Sequence, residues 1–261
     1  MYTHDLDPIL FDLGFLAIRW YSLAYIFGIL LGWWLGKQII LKKFNKINFK
    51  FNTAEFDNLI TYLILSILIG GRLGYVLFYN FGHYILNPLE IFKIWEGGMS
   101  FHGAMLGVIF GSHLFAKKNK IPLFFLLDII ACVSPVGLFF GRIANFINAE
   151  LVGKTTQVYW GVIFPKIDNL PRHPSQLYQA FLEGLILLII MNLFLFRTNY
   201  KTGSCSCLFL IFYGFFRIFS EFFREPDVQI GYIFNFLSMG TILSFLMIIS
   251  GIIIFFKKNE F

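Results

Sequence analysis

Residues 123–144 read LFFLLDIIACVSPVGLFFGRIA, a stretch whose only charges are Asp128 near one end and Arg142 near the other. A bilayer core takes about 20 apolar residues as one helix, and this run fits one. Comparable runs lie at 14–36, 56–79, 98–116, 176–196, 205–223 and 232–256. The sequence therefore predicts an all-α, polytopic integral membrane protein with seven transmembrane helices. Short apolar–polar alternations, the mark of a membrane barrel, are missing. The spans consume most of the 261 residues. Residues 1–261 are thus expected to form a single transmembrane domain, with an extracytoplasmic loop region at about 145–175.

Composition agrees. Charged residues make up 14% of the chain, hydrophobic residues 57%, and 35 positions are phenylalanine. Soluble domains carry about 25% charged residues, and the chain has too few to cover a soluble surface. The net charge of +6 does not point to nucleic acid, because loop bias in a membrane protein produces such an excess. Cys132, Cys205 and Cys207 have neither disulfide-framework nor metal-knuckle spacing and read as small packing residues. Residues 1–12 contain Asp5, Asp7 and Asp12, with no Lys or Arg before Arg19, which is not a cleavable export signal.

Charge orients the bundle. Lys37, Lys42, Lys43, Lys46 and Lys50 follow the first span; Lys117, Lys118 and Lys120 follow the third. Arg197 and Lys201 follow the fifth, and Lys257 and Lys258 the seventh. All fall on one side of a seven-span arrangement. The other side holds Arg19, Lys93, Lys154, Lys166, Arg172 and Arg224, spread over longer loops. The positive-inside rule then puts the N-terminus outside and the C-terminus in the cytoplasm. Trp95, in the semi-polar segment 80–97, reads as an interfacial ring. Gly28, Gly32 and Gly36 form one ridge at spacing four, and Gly103, Gly107 and Gly111 another. Such ridges let helix backbones approach closely in lipid.

Ionisable residues at membrane depth carry the chemistry. A buried arginine costs roughly 2.5–3.5 kcal/mol on insertion and marks a functional site by default. Arg72 lies in the second span, Arg142 at the outer end of the fourth, and Arg217 in the sixth, with Glu221 on the same helix face. Arg217–Glu221 also reads as a structural ion pair, and Arg142–Asn145 as an interfacial polar end. Taken together, Arg142, Arg217, Glu221, Glu150, Ser100 and His102 gather toward the extracytoplasmic half. Arginine's donor fork suits phosphate oxygens, and histidine moves protons near neutral pH. Greasy walls around these groups fit a phospholipid or prenyl phosphate, handled by either an enzyme or a transporter. There is no HExxH helix, no GxSxG elbow and no paired-aspartate site; no metal is expected.

The segment Gly141-Arg142-Ile143-Ala144-Asn145-Phe146-Ile147-Asn148-Ala149-Glu150-Leu151-Val152-Gly153 resembles the signature of the bacterial phosphatidylglycerol–prolipoprotein diacylglyceryl transferase family. That pattern is Gly-Arg-x-small-Asn-Phe-x-Asn-x-Glu-x-x-Gly. The resemblance extends to Ile18–Tyr21, Gly70–Gly74, Gly97–Gly103, His173–Tyr178 and Arg217–Asp227, in family order. It implies transfer of the diacylglyceryl group of phosphatidylglycerol to the lipobox cysteine thiol of a prolipoprotein, giving a thioether and releasing glycerol phosphate. It also implies an inner-membrane or plasma-membrane protein of seven helices with an external N-terminus. Phosphatidylglycerol and the signal peptides of preprolipoproteins would be the partners, and no cofactor would be needed. The family's critical positions fall on Tyr21, His102, Arg142, Asn145, Glu150, Gly153, Arg217 and Glu221. In this reading Arg142 and Arg217 clamp the phosphate, and Asn145 holds glycerol or phosphate oxygens. Tyr21 caps the site and Gly153 permits a turn. His102 is the first choice of base, with Glu221 or Glu150 as partner or substitute. Arg72 and Ser100 join the substrate-binding set.

Overall fold

The computed structural model describes residues 1–14, 17–44, 51–93, 97–198, 201–226, 231–233 and 237–259. Trp95, Lys46, Lys50 and Asp227 lie outside them. Long helices are α1 (Trp20–Lys43), α2 (Thr53–Phe78), α4 (Phe101–Asn119), α5 (Leu123–Ile147), α6 (Ser175–Arg197), α7 (Ser204–Glu221) and α8 (Met239–Asn259); α3 (Phe81–Leu86) is short. All of the long ones except α4 are long and apolar enough to cross a membrane, which makes six such helices among the described residues. The chain is therefore a mostly helical, multi-pass membrane protein. The span expected at 98–116 is present as helix α4, but His102, Ser112, His113 and three glycines dilute its hydropathy.

Two expected boundaries move. The first helix starts at Trp20 rather than residue 14, because β2 (Ile9–Asp12) and β3 (Ala17–Arg19) pair as an antiparallel hairpin ahead of it. The last starts at Met239 rather than 232, because β6 (Tyr232–Ile233) and β7 (Leu237–Ser238) form a second hairpin. Apolar composition alone does not separate a short hairpin from a helix's first turns.

The chain divides into two compact units: residues 37–127, and residues 1–36 with 128–261. In the first, α2 and α4 pack backbone to backbone. A methyl group built on Gly107 would stand 2.1 Å from the Ser66 carbonyl oxygen, and one on Gly74 would stand 2.6 Å from Gly103 Cα. The predicted Gly103–Gly107–Gly111 ridge thus meets Ser66, Gly70 and Gly74, a matching ridge at the same spacing on α2.

In the second unit, β1 (Tyr2–Thr3) pairs in parallel with β4 (Val162–Ile163), which pairs antiparallel with β5 (Pro171–Arg172). Beneath this sheet Ala149, Val152, Val162 and Phe164 form a small core against Phe146. The expected loop region therefore carries its own packed floor. His4 fastens β1 to the end of α5: its ring Nε2 lies 2.8 Å from the Phe146 carbonyl oxygen. At the far end of α5, Asp128 accepts from the Ser206 amide at 2.7 Å, the Ser206 hydroxyl at 2.6 Å and the Gly203 amide. A lone aspartate in an apolar span is thereby the cap that starts α7. The predicted Gly28 contact is also present: a methyl there would lie 3.1 Å from Gly137 Cα. All three cysteines are buried thiols, as packing residues should be.

Candidate active site

The signature segment leaves α5 through strained backbone. Ala149 and Leu151 both occupy the left-handed region, at φ 57° and 53°. That conformation is uncommon for residues with a Cβ and tends to persist where surrounding structure enforces it. The enforcement comes from the His173–Tyr178 motif at the head of α6. Gln176 Nε2 donates to the Glu150 carbonyl at 2.5 Å, and the Ser175 hydroxyl to the Leu151 carbonyl at 2.9 Å. Between the two strained residues the Glu150 side chain is exposed and is held by two amides. Asn145 Nδ2 donates to one carboxylate oxygen at 3.1 Å and Asn148 Nδ2 to the other at 3.2 Å.

Gly153 ends the segment at a junction of three chain stretches. A methyl there would lie 2.2 Å from the His173 carbonyl oxygen and 2.7 Å from that of Phe223. The Gly153 amide donates to His173 at 3.1 Å and the Lys154 amide to Phe223 at 2.9 Å. Arg172 reinforces the junction through Asp168, at 2.6 Å, and the Gly153 carbonyl, at 2.9 Å. Those bonds hold the Asp168 carboxyl below its ordinary range. Burial pushes the His173 imidazole down as well; its Nδ1 lies 3.1 Å from the Tyr178 hydroxyl.

One turn before Asn145, Arg142 is paired with Glu183 of α6. Its Nη2 and Nε lie 3.0 and 3.3 Å from the same carboxylate oxygen. Tyr21 of α1 acts electrostatically on Arg142, stacks obliquely on Tyr25, and Tyr25 in turn senses Glu150. The buried Tyr213 hydroxyl of α7 interacts with Arg142, Arg217 and Glu183 together. Two arginines from separate helices therefore share one neighbourhood. Below them Glu221 is fully engaged: one oxygen pairs with Arg217 and with Arg224 at 3.0 Å, the other accepts from the Ser238 hydroxyl at 2.7 Å.

This second unit brings together Tyr21, Arg142, Asn145, Glu150, Gly153, Arg217 and Glu221. His102, Ser100 and Arg72 belong to the unit of residues 37–127. His102 sits half-buried in the first turn of α4. Ser100 is the cap of that helix, its hydroxyl accepting from the Gly103 amide at 3.2 Å. Arg72 is occupied by main-chain carbonyls: Nε donates to Ile91 at 2.8 Å, Nη2 to Glu90 at 2.7 Å, and Nη1 to Gly97 and Gly98. The Tyr84 ring lies 5.1 Å away. Arg72 thus pins a loop. Glu183, Tyr213, Gln176 and Arg224 were absent from the predicted set. Glu183 left a signal, as the lone charge in 176–196; Arg224 looked like loop charge, and Tyr213 is one tyrosine of 12.

Apolar helices long enough to cross a membrane, with a guanidinium–carboxylate cluster inside the unit of residues 1–36 and 128–261, mark a membrane-embedded protein with a polar site. Residues 8–257 match the family model described as prolipoprotein diacylglyceryl transferase. A protein of Rickettsia bellii named phosphatidylglycerol–prolipoprotein diacylglyceryl transferase is 52% identical over 257 residues, covering 98% of this chain and 96% of that protein. A protein of Rickettsia typhi with the same name is 51% identical over 262 residues, covering 100% of both. The chain belongs to the prolipoprotein diacylglyceryl transferase family and is a transferase of that type.

Proposed function

We propose that Arg142 and Arg217 form the phosphate clamp with which this chain moves the diacylglyceryl group of phosphatidylglycerol to the lipobox cysteine of prolipoproteins. The observation that carries the reading is that both arginines act electrostatically on the buried Tyr213 hydroxyl, Arg142 by a hydrogen bond as well. In the reaction the cysteine sulfur attacks the glycerol carbon, a C–S bond forms, the C–O bond to phosphate breaks, and glycerol phosphate leaves. Negative charge builds on the departing phosphate, and two rigid donor forks in a low-dielectric setting stabilise it. Asn145 and Glu150 are proposed to hold the glycerol, with Tyr21 covering the phosphate from α1.

The thiol, with a pKa near 8.5 in free cysteine, must lose its proton to attack well. His102 is the proposed base, and exposed Glu150 the substitute. Glu221 is better read as a holder of Arg217, because both its oxygens are engaged. Gly153, Ser100 and Arg72 are read as structural supports, on the contacts described above. Seven spans, with α4 as the third, an external N-terminus and an outward-facing site are proposed from the lysine bias. Location in the bacterial inner or plasma membrane, and entry of preprolipoprotein signal peptides, are proposed from family membership.

The test is a mass-shift assay of a lipobox peptide with phosphatidylglycerol and purified protein. Arg142→Ala and Arg217→Ala should each lower transfer by at least about 10²-fold, the size seen when one oxyanion donor is removed, while still inserting and purifying normally. Parental rates in both would refute the clamp. His102→Asn with unchanged turnover across pH 6–9 would remove His102 as the base.

A further inference from the structure

Glu183 is fully buried, at 0% exposure, two turns into α6, and is the lone charge in residues 176–196. Two local features put it against Arg142. The helix is widened into a π-type turn over Ala180–Ile186, a departure often found at functional sites. The next residue, Gly184, lets α6 touch the α5 main chain: a methyl there would lie 2.8 Å from Phe139 Cα and 2.6 Å from Phe139 Cβ. Phe139 precedes Arg142 by one helical turn.

The pairing is lopsided. One Glu183 oxygen takes both Nε and Nη2 of Arg142, while the other is buried without a hydrogen-bond partner. A buried ion pair is weak evidence for stability, and a half-satisfied carboxylate costs stability. What the arrangement does accomplish is orientation. Glu183 fixes the Nε edge of the guanidinium, so the other edge has one direction in which to meet an oxyanion. It also supplies a counter-charge to the half-buried Arg142 guanidinium.

We propose that Glu183 is a positioning residue for the transfer reaction, locking the Arg142 fork in the orientation that grips the departing phosphate. This rests on the reading of Arg142 as a phosphate ligand. The test uses the full-length protein in detergent with phosphatidylglycerol and a lipobox peptide. Glu183→Gln keeps shape and drops charge. It should insert and melt like the parent, with kcat lowered about 10²-fold, as for a misplaced catalytic group, and KM for phosphatidylglycerol little changed. Glu183→Asp should recover part of the loss. In an Arg142→Ala background, Glu183→Gln should add nothing, because its effect runs through the arginine. Parental kcat in Glu183→Gln beside an inactive Arg142→Ala would overturn this inference alone. So would multiplicative losses in the double variant. A Glu183→Gln protein that no longer folds would make the pair structural and equally overturn it. Full activity in Arg142→Ala would instead overturn the clamp on which it rests.

Discussion

Arg217 and Arg224 are buried cations met by one carboxylate, Glu221, while the half-buried Arg142 is met by Glu183. Removing Glu221 therefore leaves two cations uncompensated, and in buried pairs such a loss costs about 3–5 kcal/mol. Glu221→Gln, which strands two guanidiniums, should lower the thermal unfolding temperature in detergent clearly; an unchanged melt would show that the cluster is solvated. Gly153 makes the steric counterpart. Gly153→Ala drives a methyl into two backbone oxygens and should destabilise by about 1–3 kcal/mol; the same melt measures it. Arg142 and Arg217 were singled out in the sequence because charges inside apolar runs stand out, and Asn145 and Glu150 because the chain turns polar just where that run ends. Glu221's occupation by two arginines and a serine was not, since Arg224 and Ser238 arrive from outside the span.

Helices α2 and α4 show how much of an element's packing a glycine spacing discloses. The ridge on α4 was readable, and its partner on α2 is a second small-residue row in register with it. Gly107→Val should separate these helices and lower the folded yield, measured by size exclusion in detergent; a normal yield would mean that the helices do not meet there. The segment between α5 and α6 was legible only as turns, because its strands pair just two residues at a time. It carries the pH dependence. His173 is held below the ordinary 6.5 and Asp168 below the ordinary 3.8. In both cases the unfolded segment takes up the proton first, so stability falls as pH drops. Amide-exchange protection over 150–174 should decline as pH falls from about 6.5, and again below about 3.8. His173→Gln should remove the upper step and Arg172→Ala the lower; protection that rises on acidification would contradict both assignments.

At the scale of the whole molecule, the apolar runs announced a multi-pass helical protein, and six described helices meet the length and hydropathy that a crossing requires. The starts of α1 and α8 were misplaced because the paired strands β2–β3 and β6–β7 share the composition of the helices that follow. The account as a whole depends on α5 and α7 presenting Arg142 and Arg217 to one lipid phosphate. The most direct measurement is chemical cross-linking of Arg142→Cys with Arg217→Cys, in a chain whose Cys132, Cys205 and Cys207 are replaced by serine. A short membrane-permeant bis-thiosulfonate should join the two sites within one chain. Failure to join them, with each cysteine labelled separately from opposite faces of the membrane, would contradict the account.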